Sequence, residues 1–303
     1  MRVFVTGATG LIGRPLCAAL LARGHAVTAL SRAEAGGARL AEGVRVVQGE
    51  PTRAGPWLEA LAGCDACIHL AGEPVAGKRW SPERKLAIES SRVESAGIVA
   101  GLVAARGPEI LIQGSAVGYY GSRGDELLDE SSQPGEGFLA GVTQRWEAAA
   151  APARKRARVV LVRTGMVLAP KGGALPELVK PYRLFAGGPV GSPSAWKPWI
   201  HLADEVGLIL WALEAPRVEG ALNACAPSPA RNRDLASAIG AALSRPSLLP
   251  VPDFAIRVLM GEMAEIVLAS QRAIPKKALA LGYRFQHPEL RAALEDLLRV
   301  IPR

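Results

Sequence analysis

The stretch Arg2-Val3-Phe4-Val5-Thr6-Gly7-Ala8-Thr9-Gly10-Leu11-Ile12-Gly13, running into an apolar-periodic segment over 15–22, decides the fold class. Val3, Phe4 and Val5 are consecutive apolar residues without polar alternation, the pattern of a strand buried on both faces. Gly7, Gly10 and Gly13 are spaced three apart. In a dinucleotide-binding turn the first permits the bend, the second lets backbone N–H groups approach a pyrophosphate, and the third allows close helix packing. The helix that follows aims its positive amino end at the phosphates. Three glycines alone also mark ordinary turns; a strand, the glycines and a helix in this order point to nucleotide binding.

The next predicted strand, 26–30, ends in Ser31-Arg32. A site for NAD usually places Asp or Glu there to accept from the ribose 2′-hydroxyl. Here a guanidinium stands instead, suited to a 2′-phosphate through two charge-assisted hydrogen bonds, with the Ser31 hydroxyl as a smaller donor. The expected cofactor is NADP(H). A solvated arginine after a strand is the competing explanation.

The chain has 303 residues, 49% of them hydrophobic, enough for a large α/β domain with a smaller partner. Its net charge of +8 is largely interspersed with acids and only 5% of residues are aromatic, so nucleic acid is not an expected partner. A modest positive field also suits a phosphate-rich cofactor. Cys17, Cys64, Cys67 and Cys225 make no disulfide framework, and Cys64-Asp65-Ala66-Cys67 lacks the second pair a metal site needs; buried reduced thiols are expected, and no metal. A first strand beginning at Arg2 leaves no room for a cleaved leader, and no apolar run reaches membrane-spanning length, so a cytoplasmic chain with no membrane partner is expected.

Further strands are predicted at 44–48, 65–70, 110–113, 159–163 and 220–225, alternating with helical stretches at 82–105 and 136–151. Ser81-Pro82 carries the cap and first-position signals of the longer helix. This alternation predicts a doubly wound parallel sheet of the Rossmann type. The Gly49-Glu50-Pro51 and Leu70-Ala71-Gly72-Glu73 turns then fall at the carboxyl edge, where the ligand crevice forms. Residues 184–199, rich in Gly and Pro, read as a functional loop. After 225 the pattern changes to helices at 234–243, 254–269 and 289–300 with prolines between. The expected division is a nucleotide-binding domain over 1–225 and a smaller, mostly helical capping domain over 226–303.

The motifs Thr6-Gly7-Ala8-Thr9-Gly10-Leu11-Ile12-Gly13, His69-Leu70-Ala71-Gly72-Glu73, Arg79-Trp80, Ser91-Arg92, Ser115-Ala116-Val117-Gly118-Tyr119-Tyr120-Gly121, Trp146-Glu147 and Trp199-Ile200-His201 together closely resemble the epimerase-like atypical short-chain dehydrogenase/reductases, often described as sugar-nucleotide epimerases. The likeness continues into Gly261-Glu262-Met263-Ala264-Glu265 and Pro275-Lys276-Lys277, similar to that family's C-terminal domain, and so covers essentially the whole chain. It implies an extended-type Rossmann domain, an NADP(H) site and a substrate cleft between the two domains. By the same likeness, cofactor contacts are implied at Thr9, Gly10, Leu11, Ile12, Ser31, Arg32, Glu50, Pro51, Leu70, Ala71, Gly72, Glu73, Arg79, Met166 and Val167. Capping or stacking on Trp80 is the plainer role for Arg79.

Short-chain dehydrogenases generally use Ser or Thr at the end of the fifth strand with a Tyr-x3-Lys pair on the next helix, the Lys and the oxidised nicotinamide lowering the Tyr pKa. Ser115 matches the first requirement. Aligning Glu147 with the glutamate that often follows the pair puts Leu139 and Thr143 where Tyr and Lys belong, and no Tyr-x3-Lys exists in the chain. Tyr119 and Tyr120 lie close enough to Ser115 to offer a substitute acid, with Arg123 as a fixed charge; packing of the loop is the competing role. His201 reads as a structural residue ahead of a helix cap at Asp204.

Two functions follow as expectations. One is an NADP(H)-binding oxidoreductase or epimerase with a replaced catalytic pair, Ser115 orienting substrate and Tyr119 or Tyr120 as acid, acting on a small molecule. The other is a non-catalytic NADP(H)-sensing regulator. The long helix from Glu83 offers a face for a second copy, so monomer and homodimer both stay open.

Overall fold

The computed structural model describes residues 1–33 and 40–299. Seven strands form one sheet: β1 (Arg2–Thr6), β2 (Ala26–Ser31), β3 (Arg45–Gln48), β4 (Ala66–His69), β5 (Ile110–Ala116), β6 (Arg158–Thr164) and β7 (Gly220–Ala224). All pair in parallel, in the spatial order β7-β6-β5-β4-β1-β2-β3. The chain winds outward from β1 to one edge, then returns to β4 and winds to the other. That reversal opens a crevice above the carboxyl ends of β1 and β4.

The apolar run in β1 is explained by its mid-sheet place. Val3 and Val5 pack with α1 (Gly13–Ala22) beneath one face, while Phe4 meets Trp57 of α2 (Trp57–Ala62) on the other. The second face also carries α3 (Pro82–Ala105) and α4 (Phe138–Ala150). Ser81 caps α3 by accepting from Arg84 N, with Pro82 in the first turn, as the sequence indicates. Beyond α5 (Leu175–Arg183), α6 (Leu202–Glu214) joins α1 on the first face.

The second, helical layer is not drawn from the end of the chain alone. Leu168, Leu175, Val179 and Trp199 share a core with Leu235 and Ile239 of α7 (Asn232–Leu243) and with Leu294 and Leu297 of the last helix. Each such leucine, fully buried, contributes about 1.5–3 kcal/mol. The single helix expected over 254–269 is broken into α8 (Asp253–Met260), a 3₁₀ turn (Gly261–Ala264) and α9 (Glu265–Leu268), because Gly261 takes φ 61° and ends the first piece. α10 (Lys276–Ala280) and α11 (Leu290–Arg299) complete the layer. All four cysteines are buried free thiols. Among the described residues no helix is long and apolar enough to cross a membrane.

Candidate functional site

The turn between β1 and α1 is closed by Gly10 N donating to Gly7 O at 3.0 Å. It has no room for side chains. A Cβ on Gly7 would lie 2.7 Å from Leu70 C and O, and one on Gly13 would lie 2.2 Å from Gly7 O and 2.6 Å from Ala8 Cα. The amino end of α1 has no side-chain cap at Ile12 and no acid in its first turn, so its dipole is uncompensated, although Arg14 N and Leu16 N already donate to Gly10 O and Ile12 O. Thr9 and Gly10 are exposed at the crevice, and Leu11 is approached by the Gly172-Gly173 turn that follows Met166 and Val167. A Cβ-free bend with an uncapped helix end fits a pyrophosphate.

The opposite wall is the loop after β4, and the sequence motifs around it prove to be its clamps. Thr6 Oγ1 donates to His69 Nδ1 at 2.6 Å and accepts from Ala71 N, while His69 Nε2 donates to Ser95 Oγ at 3.0 Å. Burial holds His69 neutral, its pKa pushed down to about 4. Ser91 Oγ accepts from Glu73 N, and Arg92 Nη1 donates to Glu73 O at 2.9 Å. Leu70, Ala71, Gly72 and Glu73 are thereby fixed above the carboxyl ends of β1 and β4.

Arg32 extends into solvent at the end of β2, its Nη1 3.8 Å from Glu73 Oε1. Ser31 Oγ accepts from Ala33 N, leaving its hydroxyl hydrogen to donate elsewhere. Glu50 and Pro51 form the half-buried turn after β3. Met166 and Val167 begin a short strand, Met166–Leu168, that pairs in parallel with Trp199–His201. Arg79 makes a contact that the sequence did not indicate. Its Nη2 donates to Val258 O of α8 at 3.2 Å, so it ties the loop to the helical layer, and Trp80 packs on Phe138 instead of on Arg79.

Ser115 and Tyr120, two of the candidate catalytic residues, are tied to largely buried partners. Ser115 is 5% exposed and donates to Glu147 Oε1 at 2.6 Å, so its hydroxyl hydrogen is spent on a carboxylate. Glu147 is in turn held at both oxygens by Arg163, at 2.8 and 2.9 Å. Ala116 holds the position beside the helix. A Cβ built on Gly118 would be 3.7 Å from Leu139 Cβ, 3.7 Å from Thr143 Oγ1 and 3.9 Å from Ala116 Cβ, so these three converge on one spot. Thr143 spends its hydroxyl hydrogen on Leu139 O at 2.7 Å. Ser115 therefore meets α4 one turn further along, at Glu147, while Ala116 lies nearest the Leu139–Thr143 turn.

Tyr120 sits deeper than Ser115's loop suggests. It is fully buried, donates to Asn223 Oδ1 at 2.7 Å and accepts from Arg163 Nη1 at 3.0 Å, and burial pushes its pKa up to about 12. Tyr119 is half-buried, with Arg163 Cζ 3.5 Å from its ring centroid. Arg123 is engaged with Glu126. Sequence reasoning missed the pairing of Arg163 with Glu147, though an arginine closing the apolar run Val159-Val160-Leu161-Val162 signals a buried ion pair.

His201, not Asp204, caps α6: its Nδ1 accepts from Ala203 N at 3.0 Å. Asp204 instead accepts from Gln286 N and His287 N, anchoring the C-terminal segment. His201, His287 and Asp296 bring potential ligand atoms within 4.8 Å of one another. The donor set does not suit a cation, because a ring accepting at Nδ1 carries its hydrogen on Nε2, which lies 3.4 Å from Asp296 Oδ2.

The profile described as NAD dependent epimerase/dehydratase family matches residues 3–225, and a domain of unknown function (DUF1731) matches 251–297. The chain is 40% identical over 307 residues to the chloroplastic epimerase family protein SDR39U1 homolog of Arabidopsis thaliana, covering 99% of this chain and 87% of that one. It is 37% identical over 304 residues to epimerase family protein SDR39U1 of Homo sapiens, covering 98% and 100%. A crystal structure of the human protein (isoform 2) with NADPH is similar at a TM-score of 0.88 and 35% identity, covering 99% of this chain and 100% of that chain. A UDP-glucuronic acid 4-epimerase from Bacillus cereus in complex with NAD shares the fold at a TM-score of 0.78 and 18% identity, covering 99% and 96%.

Proposed function

Because the chain belongs to the NAD-dependent epimerase/dehydratase family, we propose that its crevice binds NADP(H) and that it responds to the nucleotide as a binding protein, without epimerising a sugar nucleotide. The nucleotide half of the reading is supported by the Cβ-free bend, the uncapped α1 and the human relative crystallised with NADPH. The amides of the glycine bend and the amino end of α1 hold the pyrophosphate, and the Leu70–Glu73 loop walls the adenosine side. Arg32 and the Ser31 hydroxyl take the 2′-phosphate.

Charge-assisted bonds of this kind contribute roughly 1.5–3 kcal/mol, on the order of ten- to a hundredfold in affinity. The Arg32→Ala variant therefore loses that much affinity for NADPH and keeps its affinity for NADH. Titration calorimetry with the two nucleotides measures the ratio. Equal losses for both remove Arg32 from the 2′-phosphate.

One observation carries the non-catalytic half: Ala116, Leu139 and Thr143 meet where a hydroxyl, a phenol and an ammonium would be needed. Bound NADPH offers a hydride at its nicotinamide. Epimerisation by reversible oxidation also needs a proton removed from and returned to a substrate hydroxyl, and none of these side chains exchanges one near neutrality. A second reading, an NADP(H)-dependent reductase, is favoured by Arg163 stacked on Tyr119, the half-buried phenol that remains as a candidate acid.

NADPH deuterated at C4, incubated with the protein and a metabolite extract, distinguishes them. Label stays on the nicotinamide while hydrogen exchange slows in 70–79 and 258–262, where Arg79 joins loop to helix. Transfer that Tyr119→Phe abolishes establishes the reductase instead. The ligand is expected to be a small molecule and the assembly a monomer or homodimer. The cytoplasmic location and the absence of nucleic-acid partners belong to the same proposal.

A further inference from the structure

The sheet has a second concavity, at its amino-terminal edge. It holds about 620 Å³ and is lined at the starts of β6 and β7 by Val159 and Gly220, with Arg154, Arg217, Lys277 and Glu219 around it. Strands of five to seven residues separate it from the crevice at the other edge, roughly 20 Å at about 3.3 Å per residue. It is therefore a different place from the nucleotide site.

The charges there are poorly compensated. Neither Arg154 nor Arg217 has an ion-pair or hydrogen-bond partner among the described residues, and both are exposed. Lys277 is half-buried, and its Nζ donates to the backbone oxygen of Glu219 at 2.7 Å. Three cations thus face one carboxylate, Glu219, whose own side chain is exposed. Burial lowers the Lys277 pKa, with the carboxylates of Glu130 and Glu219 opposing the shift. By contrast, Lys276 next door is matched to Asp129 at 2.7 Å.

Ala157, Val159 and Leu281 supply an apolar floor beneath these groups. Low-dielectric walls with one sign of charge at the rim concentrate field and raise the local concentration of counter-ions. A volume of this size also suits a small organic ligand better than a bare ion.

We propose that this amino-edge concavity is a binding site for a small organic anion, its phosphate or carboxylate held by Arg154, Arg217 and Lys277 and its apolar body laid on Ala157, Val159 and Leu281. Phosphate and carboxylate share the recognition chemistry, since guanidinium matches both bidentately.

The test uses the full chain saturated with NADPH, so that the glycine turn is not open to an added anion. Phenyl phosphate, benzoate and inorganic phosphate are titrated separately by calorimetry. Phenyl phosphate or benzoate binds at roughly 10 μM to 1 mM, and inorganic phosphate, lacking the ring, at least about tenfold more weakly. Whichever of the two aromatic anions binds more tightly identifies the head group.

Arg154→Glu/Arg217→Glu weakens the aromatic anion at least about tenfold. NADPH affinity and the thermal midpoint stay unchanged, because both arginines are exposed and neither side chain is bonded to another described residue. Absence of binding by both aromatic anions overturns the proposal, and so does binding that the double variant leaves intact.

Discussion

Gly13→Ala abolishes NADPH binding, with the affinity expected to fall on the order of a hundredfold or more. The new methyl group would stand 2.2 Å from Gly7 O and 2.6 Å from Ala8 Cα, both backbone atoms that no rotamer change can move. The bend must open, and with it the 3.0 Å bond from Gly10 N to Gly7 O. Overpacking of this kind costs about 1–3 kcal/mol, and each charge-assisted bond from an amide to a phosphate that no longer forms costs about 1.5–3 kcal/mol more. A total of about 3 kcal/mol is already a hundredfold.

Gly97→Ala is the matched control. It lies exposed in α3 with nothing within 4 Å of the added carbon, so binding is kept and the helix gains up to about 1 kcal/mol. Calorimetry for affinity and thermal melts for stability read both variants. A Gly13→Ala protein that binds NADPH like the wild type shows that the phosphates lie elsewhere.

The second large effect is on stability against pH. Glu205 is fully buried in the first turn of α6, accepts from Thr164 Oγ1 at 2.8 Å through one oxygen and has no partner for the other among the described residues. Burial pushes its pKa from 4.5 up to about 8. The folded chain therefore keeps a proton that the unfolded chain has released, and stability falls as pH rises. The contribution is complete below about pH 4.5 and is lost progressively up to about pH 8.

At close to 1.4 kcal/mol per pH unit over that window, the loss is several kcal/mol. Glu205→Gln keeps the shape and an acceptor for Thr164 but has no proton to lose. It should match the wild type near pH 5 and exceed it by several kcal/mol near pH 8 in urea unfolding. His69, with its pKa lowered to about 4, works in the other direction below pH 6.5 and is common to both proteins, so the difference between them isolates Glu205. Parallel pH profiles for the two proteins would refute the neutral acid.

How much of this was legible in the sequence depended on range. The strand, bend and helix at the amino end are a local device, and their residues declare it within a dozen positions. The doubly wound sheet follows from alternation of elements, again a short-range signal. The partners of Ser115 were not readable: Glu147, 32 positions away, takes its hydroxyl hydrogen while Ala116 approaches the Leu139–Thr143 turn, and no composition rule fixes such contacts at a strand's end. The two tyrosines differ in the same way: one turn of 3₁₀ helix sends Tyr120 inward to Asn223, a partner 103 positions away. Arg79 and Glu205 were opaque for a further reason. Their surroundings are supplied by α8 and by the ends of β6 and β7, segments remote in the chain that meet only when the layers close.

The geometry of α4 has a consequence for redesign. Leu139 and Thr143 sit one helical turn apart, both near the spot that Ala116 also approaches, so the backbone suits display of a phenol above an ammonium. Under the proposed non-catalytic reading, three side-chain exchanges with no change of backbone supply the missing proton-transfer groups.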